Sequence, residues 1–263
     1  MKYLIPLFSL LLVTARCVEA ADPPAHIEIA KLPNQSTLVD DVVVPLPSEI
    51  FGVLDKLGSP NWHDVLRNAK VAPSGPRPQI ALLLGAVIAE GFIAVEAQDS
   101  EQVKKIGRDV LTLAGAIGVK KSVIARSNAI IEAADKQDWN AARKELDLAL
   151  KDVKQAMTEL HDDQLAQLVS LGGWLRGTEA LCEVVQKNYS RDAADLLHQP
   201  VLLDHFESRL KEMPPRLKKA SVLQIESKLG DIRSQITGPV ITPKNVDAVH
   251  DIVRELVKSI SSN

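Results

Sequence analysis

One stretch limits the possible folds of this chain more than any other: the run from Ile80 to Ala97, IALLLGAVIAEGFIAVEA. Its only charged residues are Glu90 and Glu96, so it has no polar face of the kind that an amphipathic surface helix turns toward water. The apolar part is shorter than the roughly 20 residues that span a bilayer, and Glu90 lies near its middle. The run therefore predicts a central helix that is buried among other helices, rather than a transmembrane helix.

Most of the remaining chain also has the apolar spacing of helices. Two stripes of apolar residues, one in the middle of the chain and one near its end, recur at intervals of three and four residues. These stripes are Leu146, Leu150, Val153, Met157 and Leu160, and Val246, Val249, Val253, Leu256 and Ile260. Nearer the N-terminus, Ser59 with Pro60 at the first helical position predicts a helix to about Asn68.

These patterns predict an all-α fold, either a multi-helix bundle or a helical-hairpin array, formed by residues 47–263 as a single domain. The hairpin from Ala133 to Leu146 resembles a tetratricopeptide hairpin in pattern. The chain has no 34-residue period, however, and such arrays need several repeats.

The N-terminus has the pattern of a secretory signal peptide. Lys2 precedes an apolar segment from Leu4 to Val13, and Val18-Glu19-Ala20 forms a cleavage site, which predicts a signal peptide over residues 1–20. Residues 21–46 predict an extended, partly mobile leader, in which Val42 to Val44 either form a short strand or lie on the bundle. The prolines that favour this interpretation are Pro23, Pro24, Pro33 and Pro45. We therefore expect a protein that is exported, to the periplasm or the medium.

Composition and motifs exclude several classes of function. The net charge is −3, so release of counterions from nucleic acid is not expected to drive binding. No common catalytic motif is present, and neither Glu-x-x-His nor His-Glu-x-x-His occurs. Asp247 and His250 share a helical face and are expected to be solvated. The sequence therefore predicts no catalytic residue, no metal site and no cofactor.

After cleavage of the signal peptide the only cysteine that remains is Cys182, in an apolar context typical of a buried core thiol.

Charged residues inside the two most apolar helical stretches are the best candidates for a site. Glu90 and Glu96 lie on the first stretch, and Arg176, Glu179 and Glu183 lie on the second. Because a buried charge requires a partner, we expect Glu90 to pair with Arg176. Two interpretations remain open: an internal ion pair with a structural role, or a polar site between helices that binds a small ligand.

Small residues on the same two stretches predict how they pack. Gly85 and Ala89 lie on one face of the first stretch, and Gly173 and Gly177 lie on one face of the second. Small residues at this spacing allow two helix backbones to approach closely. We therefore expect the two helices to cross near these residues.

The function that agrees best with these observations is an exported, non-catalytic helical binding or scaffolding protein, whose partner is a protein or a small ligand. The alternative is a small-ligand-binding protein or enzyme with its polar site near Glu90 and Arg176. A basic group near the Pro214-Pro215 break predicts contact with an anionic surface, without stable membrane insertion of the mature chain. Its members are Arg209, Lys211, Arg216, Lys218 and Lys219.

Overall fold

The computed structural model describes residues 37–39, 42–44, 51–54, 60–67 and 71–261. The strands β1 (Thr37–Val39) and β2 (Val42–Val44) pair antiparallel, with Thr37 opposite Val44. Of the two alternatives for Val42 to Val44, the short strand is the one that forms. The predicted signal peptide and most of the predicted leader lie outside the described residues.

Helices make up nearly all of the rest, which confirms the all-α, multi-helix prediction. Nine α-helices lie in the continuous part that the structure describes: α1 (Arg77–Glu96), α2 (Ser100–Ala116), α3 (Lys120–Asp135), α4 (Trp139–Glu159), α5 (Asp163–Lys187), α6 (Arg191–Asp195), α7 (Pro200–Glu212), α8 (Ala220–Ile236) and α9 (Pro243–Ser261).

Helix α1 is the predicted central helix. It packs most extensively against α5 and also contacts α2, α4 and α9. Its residues from Ile80 to Val95 are all buried. Among the described residues it alone has the length and composition that could cross a membrane, with a mean hydropathy of 1.9, yet 94% of that window is buried by the other helices. Packing inside the protein therefore accounts for its apolar sequence.

The first five helices are joined by four connectors of the same design. In each connector the second residue after the last helical residue has a positive φ, and the residue after it immediately precedes the next helix. The four residues with positive φ are Gln98, Gly118, Gln137 and His161. After Gln98, for example, the N–H of Asp99 donates to the carbonyl of Ala94 at 3.0 Å, which is the long bond of a Schellman motif. Such short links place consecutive helices side by side. Since α5 packs on both α4 and α1, the row of helices closes around α1 as a bundle.

The apolar stripes agree with the sequence except at two positions of α4, one of which, Leu150, is half-buried. The stripe of α9 from Val246 to Ile260 is buried as predicted. In α4, Leu160 was predicted to belong to the buried stripe, but it is 52% exposed. It follows the last helical residue as the C-cap, where the chain already turns toward the next connector.

The helix predicted from Ser59 to about Asn68 is not formed in the described residues 60–67, where only Trp62–Asp64 forms a 3-10 turn. Side chains from the core take up the backbone groups here. The N–H of Arg67 donates to Glu90 Oε1 at 2.5 Å, and the carbonyl of Val65 accepts from Arg176 Nη2 at 2.6 Å. The segment is therefore fixed by α1 and α5 rather than by its own helical hydrogen bonds.

Candidate functional site

The site is organised by a close crossing of α1 and α5. A Cβ atom on Gly85 would overlap the carbonyl oxygen of Val169, and one on Gly172 would overlap the carbonyl oxygen of Leu82. Both obstacles are backbone atoms, which cannot move without moving the helix. The two backbones therefore touch directly at this point, as predicted for Gly85.

The predicted partners on α5 need correction. A Cβ on Gly173 would lie 3.4 Å from the carbonyl oxygen of Gly85, whereas Gly172 makes the tighter contact. A Cβ on Gly177 would have no described atom within 4 Å, so the assignment of Gly177 to the crossing was wrong. Ala89 is buried in the core. The contact is centred one residue earlier on α5 than the sequence predicts.

Next to the crossing lie four paired charged residues, which we call the Arg–Glu network: Arg67, Glu90, Arg176 and Glu179. Arg176 Nε donates to Glu90 Oε2 at 2.6 Å, which confirms the predicted pair. Arg176 Nη1 lies 3.5 Å from Glu179 Oε2, and Arg67 Nη2 pairs with Glu179 Oε1. Both oxygens of both carboxylates therefore have a donor.

Burial makes this pairing essential. The side chains of Arg176 and Glu179 are 1% and 0% exposed, and that of Glu90 is 10% exposed. Burial and the charge of Arg176 lower the pKa of Arg67 to about 10, against the opposing effects of Glu183 and Glu90. Arg67 is thus still protonated at neutral pH, and the two positive charges balance the two carboxylates of the network.

Arg67 was not predicted from the sequence. It lies 112 residues from Glu179 and in a segment that the capping pattern assigned to an ordinary helix. A signal was nevertheless present: within the apolar runs 80–97 and 165–185, four glutamates accompany only one arginine, Arg176. That imbalance implies a further cation from elsewhere in the chain.

A shallow cleft of about 50 Å³ lies over the network, between α1, α2 and α9. Its polar lining includes Lys105, Asp109 and Ser261 together with three members of the network. Burial raises the pKa of Asp109, and the charges of Lys105 and Arg108 oppose that rise. The cleft is far smaller than the roughly 300 Å³ at which small-molecule sites begin.

Glu183 takes no part in the hydrogen bonds of the network. It lies one turn beyond Glu179 on α5 and faces His250 of α9, with Glu183 Oε1 3.9 Å from His250 Nε2. The side chain of His250 is 12% exposed, so the prediction that it is solvated was wrong, whereas Asp247 is exposed as expected. One carboxylate oxygen each from Glu179 and Glu183 and a ring nitrogen of His250 lie within 4.8 Å of one another, a set that can hold a metal ion.

A larger pocket, of about 260 Å³, lies where residues 60–65 meet the end of α5; we call it the α5-end pocket. Its apolar lining is Leu54, Pro60, Val65, Val184 and Ala193, and its polar lining is Asn61, Lys187, Asn188, Tyr189 and Ser190. Lys187 Nζ pairs with Asp64 at 3.0 Å, and the Tyr189 hydroxyl donates to the carbonyl of Ile241. The pocket therefore combines apolar walls with a polar rim.

The basic group near Pro214-Pro215 is partly neutralised. Arg209 pairs with Glu212, and Lys218 pairs with Glu226. The remaining members are exposed: Lys211, Arg216 and Lys219. Contact with an anionic surface thus stays a prediction.

Cys182 is fully buried, and burial raises the pKa of its thiol above the usual range, with further contributions from Glu183 and Asp247. A protonated, inaccessible thiol is a packing residue and not a nucleophile.

Neither a protein-family model, nor a curated protein, nor a solved structure matches this chain. Its own residues therefore carry what can be inferred about its function.

Proposed function

We propose that this protein is an exported, non-catalytic helical binding protein, and that its partner is another protein which places an apolar side chain in the α5-end pocket. The observation that carries the proposal is the pocket itself. A volume of about 260 Å³ falls below that of most small-molecule sites but accepts a large side chain.

The lining of the α5-end pocket supports a protein partner. Protein interfaces combine an apolar centre with a polar rim, and one or a few buried anchors supply most of the binding energy. Val65 and Val184 provide apolar wall, while Asn61 and Asn188 are exposed at the rim and offer amide donors and acceptors. A partner would thus bury its anchor and still satisfy its own backbone groups.

The alternative, an enzyme or small-ligand receptor at the Arg–Glu network, has less support. Catalytic groups need a free proton acceptor, donor or nucleophile within reach of a substrate. Here the carboxylates of Glu90 and Glu179 are occupied by guanidinium and backbone donors, and the cleft above them holds only about 50 Å³. The network supports a structural role, which is to fix residues 60–67 against α1 and α5 and so to form one wall of the α5-end pocket.

Export and surface contact belong to the same proposal. The N-terminal pattern of Lys2, the apolar segment and Ala20 supports export. Exposed Lys211, Arg216 and Lys219 support a weak contact of the mature protein with anionic surfaces, in addition to its protein partner.

Site-specific photo-crosslinking tests the proposal in intact cells. A benzoylphenylalanine at position 188 would place the photoreactive group at the rim of the pocket, because Asn188 is exposed and lines it. The matched control carries the same group at Ile124 of α3, which is 46% exposed and lies outside the pocket lining. Fractionation of the same cells reports whether the protein is exported.

We expect a discrete crosslinked band at position 188 that is absent at position 124. The band should disappear when Ala193 in the pocket wall is replaced by Phe to fill the pocket. Equal crosslinking at both positions, or a band that persists in A193F, would refute the pocket as the binding site.

A further inference from the structure

We propose that Glu183 and His250, with Glu179, form a binding site for a divalent first-row metal ion of the zinc class. These residues join α5 to α9 at a position separate from the α5-end pocket lining. The metal site is therefore independent of the proposed function.

His250 carries an unsatisfied polar atom. Its Nε2 is inaccessible to solvent and has no hydrogen-bond partner in the described part of the chain. Buried polar atoms in folded proteins are nearly always satisfied, so this nitrogen is open to a ligand that the described part of the chain does not supply. Glu183, directly opposite, makes no hydrogen bond with any described residue either, and its side chain is only 22% exposed.

The spacing of the ligand atoms is close to that of a zinc site. The distance of 3.9 Å between Glu183 Oε1 and His250 Nε2 is too long for a hydrogen bond. Two ligands of a tetrahedral zinc ion lie about 3.4 Å apart, given zinc–ligand bonds of about 2.1 Å. The pair therefore needs to close by only about half an ångström, and the remaining ligand atom, from Glu179, lies within 4.8 Å of both.

The chemical types of the ligands favour the same class of metal. An imidazole nitrogen with carboxylate oxygens suits zinc, nickel, copper and iron, whereas magnesium and calcium favour oxygen-only sites. Glu179 and Glu183 are separated by one helical turn, so both carboxylates leave α5 on the same side. His250 reaches them from α9, which packs along α5.

The charges around the site permit a cation. Glu90, Glu179 and Glu183 face Arg67 and Arg176, so the carboxylates around the site outnumber the guanidinium groups by one. Arg254 of α9 also acts on Arg67, and its own charge is paired with Asp251. Because Glu179 also pairs with both arginines of the network, Glu183 and His250 provide the principal ligands, and Glu179 completes the set with a remaining lone pair.

The test is titration of the purified full-length chain, freed of metal by a chelator, with zinc chloride in a calorimeter at pH 7.5. Variants H250A and E183Q remove one ligand each. The control variant H63A removes an exposed histidine far from the cluster in sequence. Magnesium chloride serves as the control ion.

We expect one zinc ion per wild-type chain and per H63A chain, with affinity at least tenfold weaker in H250A and in E183Q and no heat from magnesium. With cobalt as the metal, the visible absorption of a His-and-carboxylate site should appear in the wild type and vanish in H250A. Circular dichroism spectra and melting curves of the metal-free variants verify that they are folded.

Zinc affinity that is equal in H250A, E183Q and the wild type would overturn the proposal, as would a stoichiometry far below one in the folded wild type.

Discussion

Replacing Gly172 by Ala is the sharpest test of the helix crossing on which this fold depends. The substitution adds a single methyl group on α5. Its Cβ would overlap the carbonyl oxygen of Leu82 on α1 and approach that residue's Cα to 2.9 Å. Gly177 lies on the same helix with no described atom within 4 Å of a Cβ, so G177A is a matched control.

The expected magnitude follows from two opposing effects. Ala stabilises a helix interior by about 1 kcal/mol relative to Gly, and this gain applies to both variants. In G172A the added methyl group meets backbone on α1, so α1 and α5 must separate within the most extensive helix pair of the core. Overpacking of this kind costs about 3 kcal/mol, the upper end of the usual range, because no flexible side chain can yield. G172A should therefore lose about 2 kcal/mol net, while G177A gains about 1 kcal/mol.

Urea unfolding followed by circular dichroism measures both variants, with the m value as a check that the unfolded state is unchanged. For a chain of this size, a loss of about 2 kcal/mol lowers the melting temperature by about 4–8 °C. If G172A were as stable as G177A, the backbones of α1 and α5 would not be in contact at Gly172, and the close crossing would be refuted.

Two further predictions concern the Arg–Glu network and the connectors. Replacing Arg176 by Leu leaves buried carboxylates without their main donor, so the free energy of unfolding in urea should fall by about 3–5 kcal/mol. The control R254A changes a side chain that is 58% exposed, and it should alter stability by less than about 0.5 kcal/mol. Equal effects of the two variants would show that the network is not buried. At the connectors, G118A should lose about 1 kcal/mol of stability, because a side chain is strained at φ of 90° although nothing lies within 4 Å of its Cβ. Q137G, at φ of 56°, should gain about 0.5 kcal/mol of stability, because Gly adopts this conformation without strain. The same sign of change in both variants would contradict the left-handed conformation.

The sequence predicts α1 and its partners because the relevant signals are local. An apolar run without a polar face requires burial, and α1 is buried from Ile80 to Val95. The same reasoning predicts the pair of Glu90 and Arg176, since a charge on such a helix requires a counter-charge and few candidates exist. Where a helix is amphipathic, as in α9, its spacing predicts the buried face residue by residue.

The rotation of α5 could not be predicted in the same way. Its buried residues lie on most sides of the helix, so no polar stripe indicates which face meets α1. Consecutive residues of a helix are rotated by about 100°. Choosing Gly173 instead of Gly172 therefore shifts the predicted contact to a different face of α5. Gly177 lies one turn beyond Gly173 on that face, so it was assigned to the contact by the same error.

Arg67 and His250 could not be placed from the sequence because each meets its partner across a long stretch of chain. His250 lies on a helix whose apolar stripe already explains the pattern, so its position beside Glu183 becomes visible only when α9 is packed on α5. Residues 60–67 appear helical in sequence because Ser59 and Pro60 are good helix-starting residues. Local preference yields here to hydrogen bonds from α1 and α5.

One physical cause connects these features. A backbone contact at Gly85 and Gly172 brings α1 and α5 too close for bulky side chains between them, so charged residues at the next turns are enclosed rather than solvated. Enclosed charges require partners. Glu90 and Arg176 pair with each other, and the N–H and side chain of Arg67 supply the remaining donors, which fixes residues 60–67 against both helices. The fixed segment in turn supplies Val65 to the α5-end pocket. A substitution that separates α1 and α5 at the glycine crossing should therefore weaken both the stability of the fold and the photo-crosslinking of the partner at position 188. Loss of a purely local contact in the pocket would weaken the crosslinking and leave stability unchanged.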